Sequence, residues 1–439
     1  MPRQRPQLGA SSWIVLALVL LLASMAMSTP STSPGDIVVI RNGTVVPVTS
    51  PTIPDGVVVI EDGRIRAVGT ADSVTIPDGA RIIDAERGWV LPGLVIARST
   101  LGLQGARGND VDEDTGPLQP ELETFFAIDP FHPDMTLVRD EGVTTVNVTP
   151  GDAALVGGRG TVIKTDGDLI DEMVVRRRSC MILSLQGSWS HLPFASSPQQ
   201  KDPIATVRDL FDLANRADSV PSLEEEVGVD VSRTLRKEGF SELLDGRPLT
   251  RQDPQVAAIL PVLRQRIPLI VRCERRRDIL AAVRLSERYG IRVVLHGAAD
   301  AIDLVPMLKE HGIGIIAGPL HPGGRQGEEP TRTPQGVAAL VHAGLQVALV
   351  ADESSPYRSA SLRFLWLDAA SLSTTGLSLQ QCLAPLTIEP ARLLGIEDRV
   401  GSLEPGKDGD IVIFSGHPFA TSSLPRRVLI EGREVKRPE

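Results

Sequence analysis

Gly88-Trp89-Val90-Leu91-Pro92-Gly93-Leu94-Val95-Ile96-Ala97-Arg98-Ser99-Thr100 is the stretch on which the reading of this chain turns. Before it, short alternating runs (Asp36 to Ile40, Gly43 to Pro47, Gly56 to Ile60, Arg64 to Val68, Arg81 to Asp84) are separated by Pro54-Asp55-Gly56 and Glu61-Asp62-Gly63. Closely spaced runs with turn residues between them predict a small all-β unit over 36–92. After Pro92 the texture changes. Apolar runs at Leu94 to Ala97, Val143 to Val148, Met181 to Leu185, Leu269 to Arg272, Val293 to His296, Gly314 to Ala317 and Val347 to Ala351 alternate with helical stretches such as Arg277 to Tyr289 and Ile302 to His311. That alternation predicts a parallel sheet with crossover helices, and seven or eight units suit an α/β fold of the closed (β/α)8 TIM type. The β texture returns at Asp410 to Phe414 and Arg427 to Ile430, so 403–439 is expected to complete a composite β-sandwich with 36–92, leaving 93–402 as the barrel. Residues 187–255, rich in Ser, Pro and charge, read as an insertion at the barrel mouth.

At 439 residues the chain has room for a large barrel and a smaller unit. A net charge of -10 and 3% aromatic residues give neither a basic footprint nor stacking platforms, which excludes nucleic acid as an expected partner. Arg3 and Arg5 precede an apolar run from Trp13 to Ala23, then Ala26 and Ser28. This pattern predicts a secretory leader over 1–28, a linker over 29–35, and a periplasmic or extracellular protein. The alternative is an uncleaved N-terminal anchor, the one route by which this chain would meet a membrane. Cys180, Cys273 and Cys382 are too few and too scattered for a disulfide framework and read as buried apolar side chains.

Four blocks carry a resemblance. Gly88 to Ala97 resembles the start of the first barrel strand of the amidohydrolase superfamily. Glu141 to Val146 with Pro150-Gly151 and Gly157-Gly158-Arg159-Gly160 through Lys164 resembles a second-strand block. Leu386-Thr387-Ile388-Glu389-Pro390-Ala391 resembles the closing helix, and Val400-Gly401-Ser402-Leu403-Glu404-Pro405-Gly406-Lys407-Asp408-Gly409-Asp410 the return into the sandwich. The similarity is to imidazolonepropionase-like amidohydrolases. It implies a distorted barrel, a composite sandwich, and hydrolysis of C–N bonds by one or two divalent cations such as Zn²⁺, which lower the pKa of bound water.

The resemblance also implies where ligands should stand. His-x-His at the end of the first strand corresponds to Arg98, Ser99 and Thr100. The fifth-strand histidine corresponds to Arg272, the sixth-strand histidine to His296 and the eighth-strand aspartate to Asp352; no bridging lysine stands near Cys180 to Leu185. A guanidinium has no lone pair to give a metal, and one imidazole with one carboxylate falls short of the three protein ligands of a catalytic zinc. No metal is therefore expected, with His296 and Asp352 as residual candidate ligands. The reading adopted is a catalytically degenerate, exported amidohydrolase-like binding or structural module. Arg98, Arg272 and Thr100 would bind a small anionic or amide ligand at the barrel mouth, and Arg98 would pair with Asp352. The alternative is an active amide hydrolase, with Asp352 and His296 catalytic on one metal or without one. His132, His191 and His321 read as structural or solvated, and Glu113 as part of a solvated acidic loop. Arg176 to Arg178 and Arg275 to Arg277 read as surface faces.

Overall fold

A computed structural model describes residues 36–105, 108–113, 116–186, 202–219, 253–320, 330–351 and 359–435. The expected leader and linker, His191, His321 and Asp352 lie outside these residues.

The first unit is one eight-stranded sheet. Its strands are β1 (Ile37–Val45), β2 (Ile53–Glu61), β3 (Arg64–Thr70), β4 (Arg81–Asp84) and β5 (Trp89–Pro92) from the start of the described chain. Near its end come β16 (Ile411–Phe414), β17 (Pro425–Ile430) and β18 (Arg433–Glu434). The order is β18-β17-β16-β5-β1-β2-β3, with β4 paired to β1. Because β1 pairs β4 along its first half and β5 along its second, the sheet divides and closes over one apolar core. Val38, Ile40, Val58, Ile60, Ile83, Val90, Ile411 and Leu429 are all buried in that core, drawn from both ends of the chain.

The second unit is the barrel. Its strands are β6 (Leu94–Ser99), β9 (Val143–Val148), β10 (Val156–Lys164), β11 (Val174–Ser184), β12 (Leu269–Cys273), β13 (Val293–Gly297), β14 (Gly314–Ala317) and β15 (Val347–Leu349). A two-stranded ribbon, β7 (Gln104–Gly105) with β8 (Gly108–Asn109), lies between β6 and β9 in sequence. The barrel sheet runs β15-β14-β13-β12-β11-β10-β9-β6, and β6 packs against β15 where it closes. All seven expected parallel strands are present. The eighth position departs from a regular (β/α)8 repeat: β10 is antiparallel to both neighbours, β9 and β11. Hairpin connections replace crossover helices there, and the segment from Leu118 to Glu123 bridges to β10 through Leu118↔Val156 and Glu123↔Arg159.

Alternation along the strands sorts the barrel into two cores. Ala97, Cys180, Ile182, Ile270, Val294, Ile316, Ala348 and Val350 form the interior layer. Their sequence neighbours, among them Ile96, Leu183, Leu269, Val271, Val293 and Leu295, pack outward against the helices. The helix Arg276–Tyr289 shows the complementary pattern: it buries Ile279, Ala282, Val283 and Leu285 and stops at Gly290 in the left-handed conformation. The stretch 187–255, expected as a mouth insertion, contributes in its described part the 17-residue helix Pro203–Ser219. Buried Val207, Leu210, Phe211 and Ala214 seat that helix in the main core, so the stretch is in part a barrel helix. Its polar composition hides this because only one face is apolar.

Lys164 at the far end of β10 ties the units together. Its ammonium lies 2.6 Å from Asp410 and 2.9 Å from Asp408, with all three groups buried. Arg399 adds a second cation 2.8 Å from Asp408. The Gly401 to Asp410 block is thus the carboxylate half of a buried ion cluster between barrel and sheet. Among the described residues no helix is long and apolar enough to cross a membrane.

Candidate functional site

Active residues of a barrel gather at the C-terminal ends of its parallel strands. Here β12 and β13 run in register, with Ile270 beside Val294 and Arg272 beside His296. Since Ile270 and Val294 point inward, period-two alternation sends Arg272 and His296 into the mouth above them. On β6 the register slips between Ile96 and Ser99. Such a bulge re-aims a side chain, and Arg98 accordingly reaches across to the same place.

Arg98 is 4% exposed and holds several acceptors. Its Nη1 is 2.7 Å from His296 Nδ1, and its Nη2 donates to Asp152 Oδ1 at 2.8 Å and to the Pro150 carbonyl at 3.4 Å. A guanidinium can only donate, so Nδ1 is the acceptor and His296 is the neutral tautomer with its proton on Nε2. Burial, then the charges of Arg98, Arg272 and Arg332, hold the His296 pKa well below its usual value. Arg272 lies 2.7 Å from Glu274 Oε1 and 3.9 Å from Asp152 Oδ2. Arg332 shares the same Glu274 oxygen at 3.2 Å, and Glu274 Oε2 accepts from the Ala299 amide. These side chains form one cluster, in which three guanidiniums face two carboxylates around a neutral imidazole. Gly297 has φ +85°, and a Cβ there would sit 2.2 Å from Arg272 Nη1. Only glycine lets the Arg272–Glu274 pair lie against that backbone.

The Amidohydrolase family profile matches residues 331–435. Imidazolonepropionases from Rhizorhabdus wittichii and Stenotrophomonas maltophilia are each 24% identical to the chain, over 390 and 388 residues. Both alignments cover 82% of this chain, with 88% and 86% of the respective relatives. Among solved structures, an amidohydrolase from Thermotoga maritima superposes with a TM-score of 0.76 at 29% identity, covering 91% of this chain and all of that one. Together these likenesses support membership of the amidohydrolase superfamily. Amidohydrolase tasK of Hapsidospora irregularis is 24% identical over 397 residues, which make up 86% of this chain and 39% of tasK, so the chain spans about two fifths of that relative. Phenylurea hydrolase B, at 18% identity and a TM-score of 0.53, shares the fold.

The residues brought together do not suit the divalent cation that the family implies. Among the described residues no three His, Cys, Asp or Glu side chains are grouped to hold a metal. The one imidazole in the cluster directs its only lone pair at Arg98 Nη1, and a cation there would face Arg98, Arg272 and Arg332. Of the expected ion pair, Arg98 is placed and Asp352 is not described; among the described residues the carboxylate on Arg98 is Asp152.

The other expected positions have surroundings of their own. Thr100 is buried in the turn after β6, where its carbonyl accepts from the Leu103 amide. His132 caps the helix Pro133–Asp140: Nδ1 accepts from the Asp134 amide and Nε2 donates to the Gln104 carbonyl. Glu113 is exposed. All three cysteines are buried. Arg275 to Arg277 are exposed, as expected, but Arg176 is half-buried and donates to the Leu394 and Gly395 carbonyls at a helix end. Arg177 and Arg178 are exposed, as expected, and join Arg159 around the buried Glu123 carboxylate. Asp152, Glu274 and Arg332 were not foreseen. Asp152 directly follows Pro150-Gly151, and Glu274 stands two residues beyond Arg272, so adjacency to these positions was the available signal.

Proposed function

We propose that this protein is a catalytically degenerate amidohydrolase that binds a small carboxylate-bearing ligand at its barrel mouth. The observation that carries the reading is the 2.7 Å approach of Arg98 to His296 Nδ1. It puts a fixed organic cation beside the imidazole and leaves that nitrogen no lone pair for a metal. Among the described residues Arg272 and Arg332 stand alongside it, facing the Asp152 and Glu274 carboxylates. A planar guanidinium matches a carboxylate through two parallel hydrogen bonds. Arg272, the most exposed of the three arginines, is the expected anchor.

Calorimetric titration of the full chain with propionate, at fixed ionic strength, should give saturable binding. Arg272→Ala should weaken it at least about tenfold, equivalent to ~1.4 kcal/mol. Affinity unchanged in that variant would remove Arg272 as the anchor. The relatives named imidazolonepropionase favour a second reading, hydrolysis of an amide C–N bond with His296 and Asp352 catalytic. Turnover of a cyclic amide that is lost in His296→Ala would establish it in place of the first.

The N-terminal pattern of Arg3, Arg5 and the Trp13 to Ala23 run supports export. Mass spectrometry of the mature chain should find a start near Thr29. An intact Met1 terminus in the membrane fraction would show an anchor instead.

A further inference from the structure

We propose that Asp152 is an internal surrogate ligand: in the free protein its carboxylate fills the seat that the ligand's carboxylate takes on binding. This rests on the carboxylate-binding reading above and adds a gate to the same site.

The Asp152 carboxylate meets the two guanidiniums unequally, 2.8 Å from Arg98 Nη2 and 3.9 Å from Arg272 Nε. Its side chain is 33% exposed, against 4% for Arg98. It therefore approaches the buried guanidinium from the more exposed side of the pair. The loop beneath it is anchored independently of that carboxylate. The Gly151 amide donates to the Val111 carbonyl at 2.8 Å, and the Ala153 amide donates to Asp112 Oδ1 at 3.0 Å. Gly151 packs so closely on Asp112 that a Cβ would lie 2.2 Å from Oδ2. Releasing the seat thus requires rotation of one side chain between staggered rotamers, with the backbone in place.

The receiving groups have supports of their own. Arg98 Nη1 is held by His296, and Arg272 Nη2 by Glu274. Glu274 is fixed in turn by Arg332 and the Ala299 amide. When Asp152 turns out to water, two guanidiniums stay aimed at one point. The ligand class is then an organic acid with one carboxylate free to enter head-first. Competition by Asp152 lowers its apparent affinity by the fraction of time the seat is open.

The test is calorimetric titration of wild type, Asp152→Asn and Asp152→Ser with propionate, and with propionamide as the neutral isostere, at constant ionic strength. Asp152→Asn keeps the side-chain shape, and Asp152→Ser supplies the measurement if the amide variant does not fold. The expected result is propionate binding about tenfold tighter in the variants than in wild type, as for a seat filled about nine-tenths of the time, with no gain for propionamide. Wild-type binding with equal or weaker affinity in the folded variants overturns the surrogate role and leaves the binding reading standing. Absence of propionate binding in wild type and variants alike overturns both.

Discussion

Arg98 and His296 stand 198 positions apart in sequence and 2.7 Å apart in space, and the protonation state of the pair follows from that contact. A second proton on His296 would place an imidazolium against Arg98, with Arg272 and Arg332 also repelling it. The unfolded chain meets no such barrier, so below the ordinary histidine value of 6.5 it binds a proton that the folded chain refuses. Folding stability from this site is therefore present above pH 6.5 and lost as the pH falls. Between pH 8 and pH 5 wild type should lose more stability than His296→Gln, measured by urea denaturation at each pH. Identical slopes for the two proteins would mean that His296 is protonated in place. Arg98, Arg272 and His296 were legible as one group because the family resemblance sets all three at strand ends that meet at the mouth. Asp152 was not, because its meeting with Arg98 depends on a bulge in β6 and on a loop pinned by Asp112, neither of which has a local sequence signature.

Among the elements, β10 shows how a sequence block can be recognised and its geometry still missed. Val162 and Ile163 are apolar whichever way the strand runs, so the pattern reveals a strand but not its direction. The direction emerges only in pairing, antiparallel on both sides. Lys164 was legible as part of a motif but not as a junction, since its partners Asp408 and Asp410 lie some 244 and 246 positions away. Removing one member of a buried ion cluster leaves the others uncompensated. Lys164→Ala should cost about 3–5 kcal/mol in urea denaturation. A loss below ~1 kcal/mol would show that Arg399 alone satisfies the two carboxylates.

At the scale of the molecule, the sheet unit is assembled from the two ends of the chain around a continuous barrel, and this was the most legible feature of all. Turn-rich alternation at both ends and longer αβ repeats between them require two cores, and Val38 with Ile411 in one and Ala97 with Ile316 in the other confirm the division. Fold and chemistry then part company. Glycines, prolines and aliphatics such as Gly93, Pro92 and Leu94 keep the barrel, while on the proposed reading Arg98 and Arg272 stand as permanent cations where the resemblance implies imidazoles. The consequence is measured most directly by elemental analysis of the full chain, expressed with zinc, manganese and iron supplied and purified without chelator. A guanidinium-filled mouth predicts far less than one metal ion per chain. About one tightly held ion per chain, retained through dialysis, would contradict the account and return the protein to the metal-dependent hydrolases.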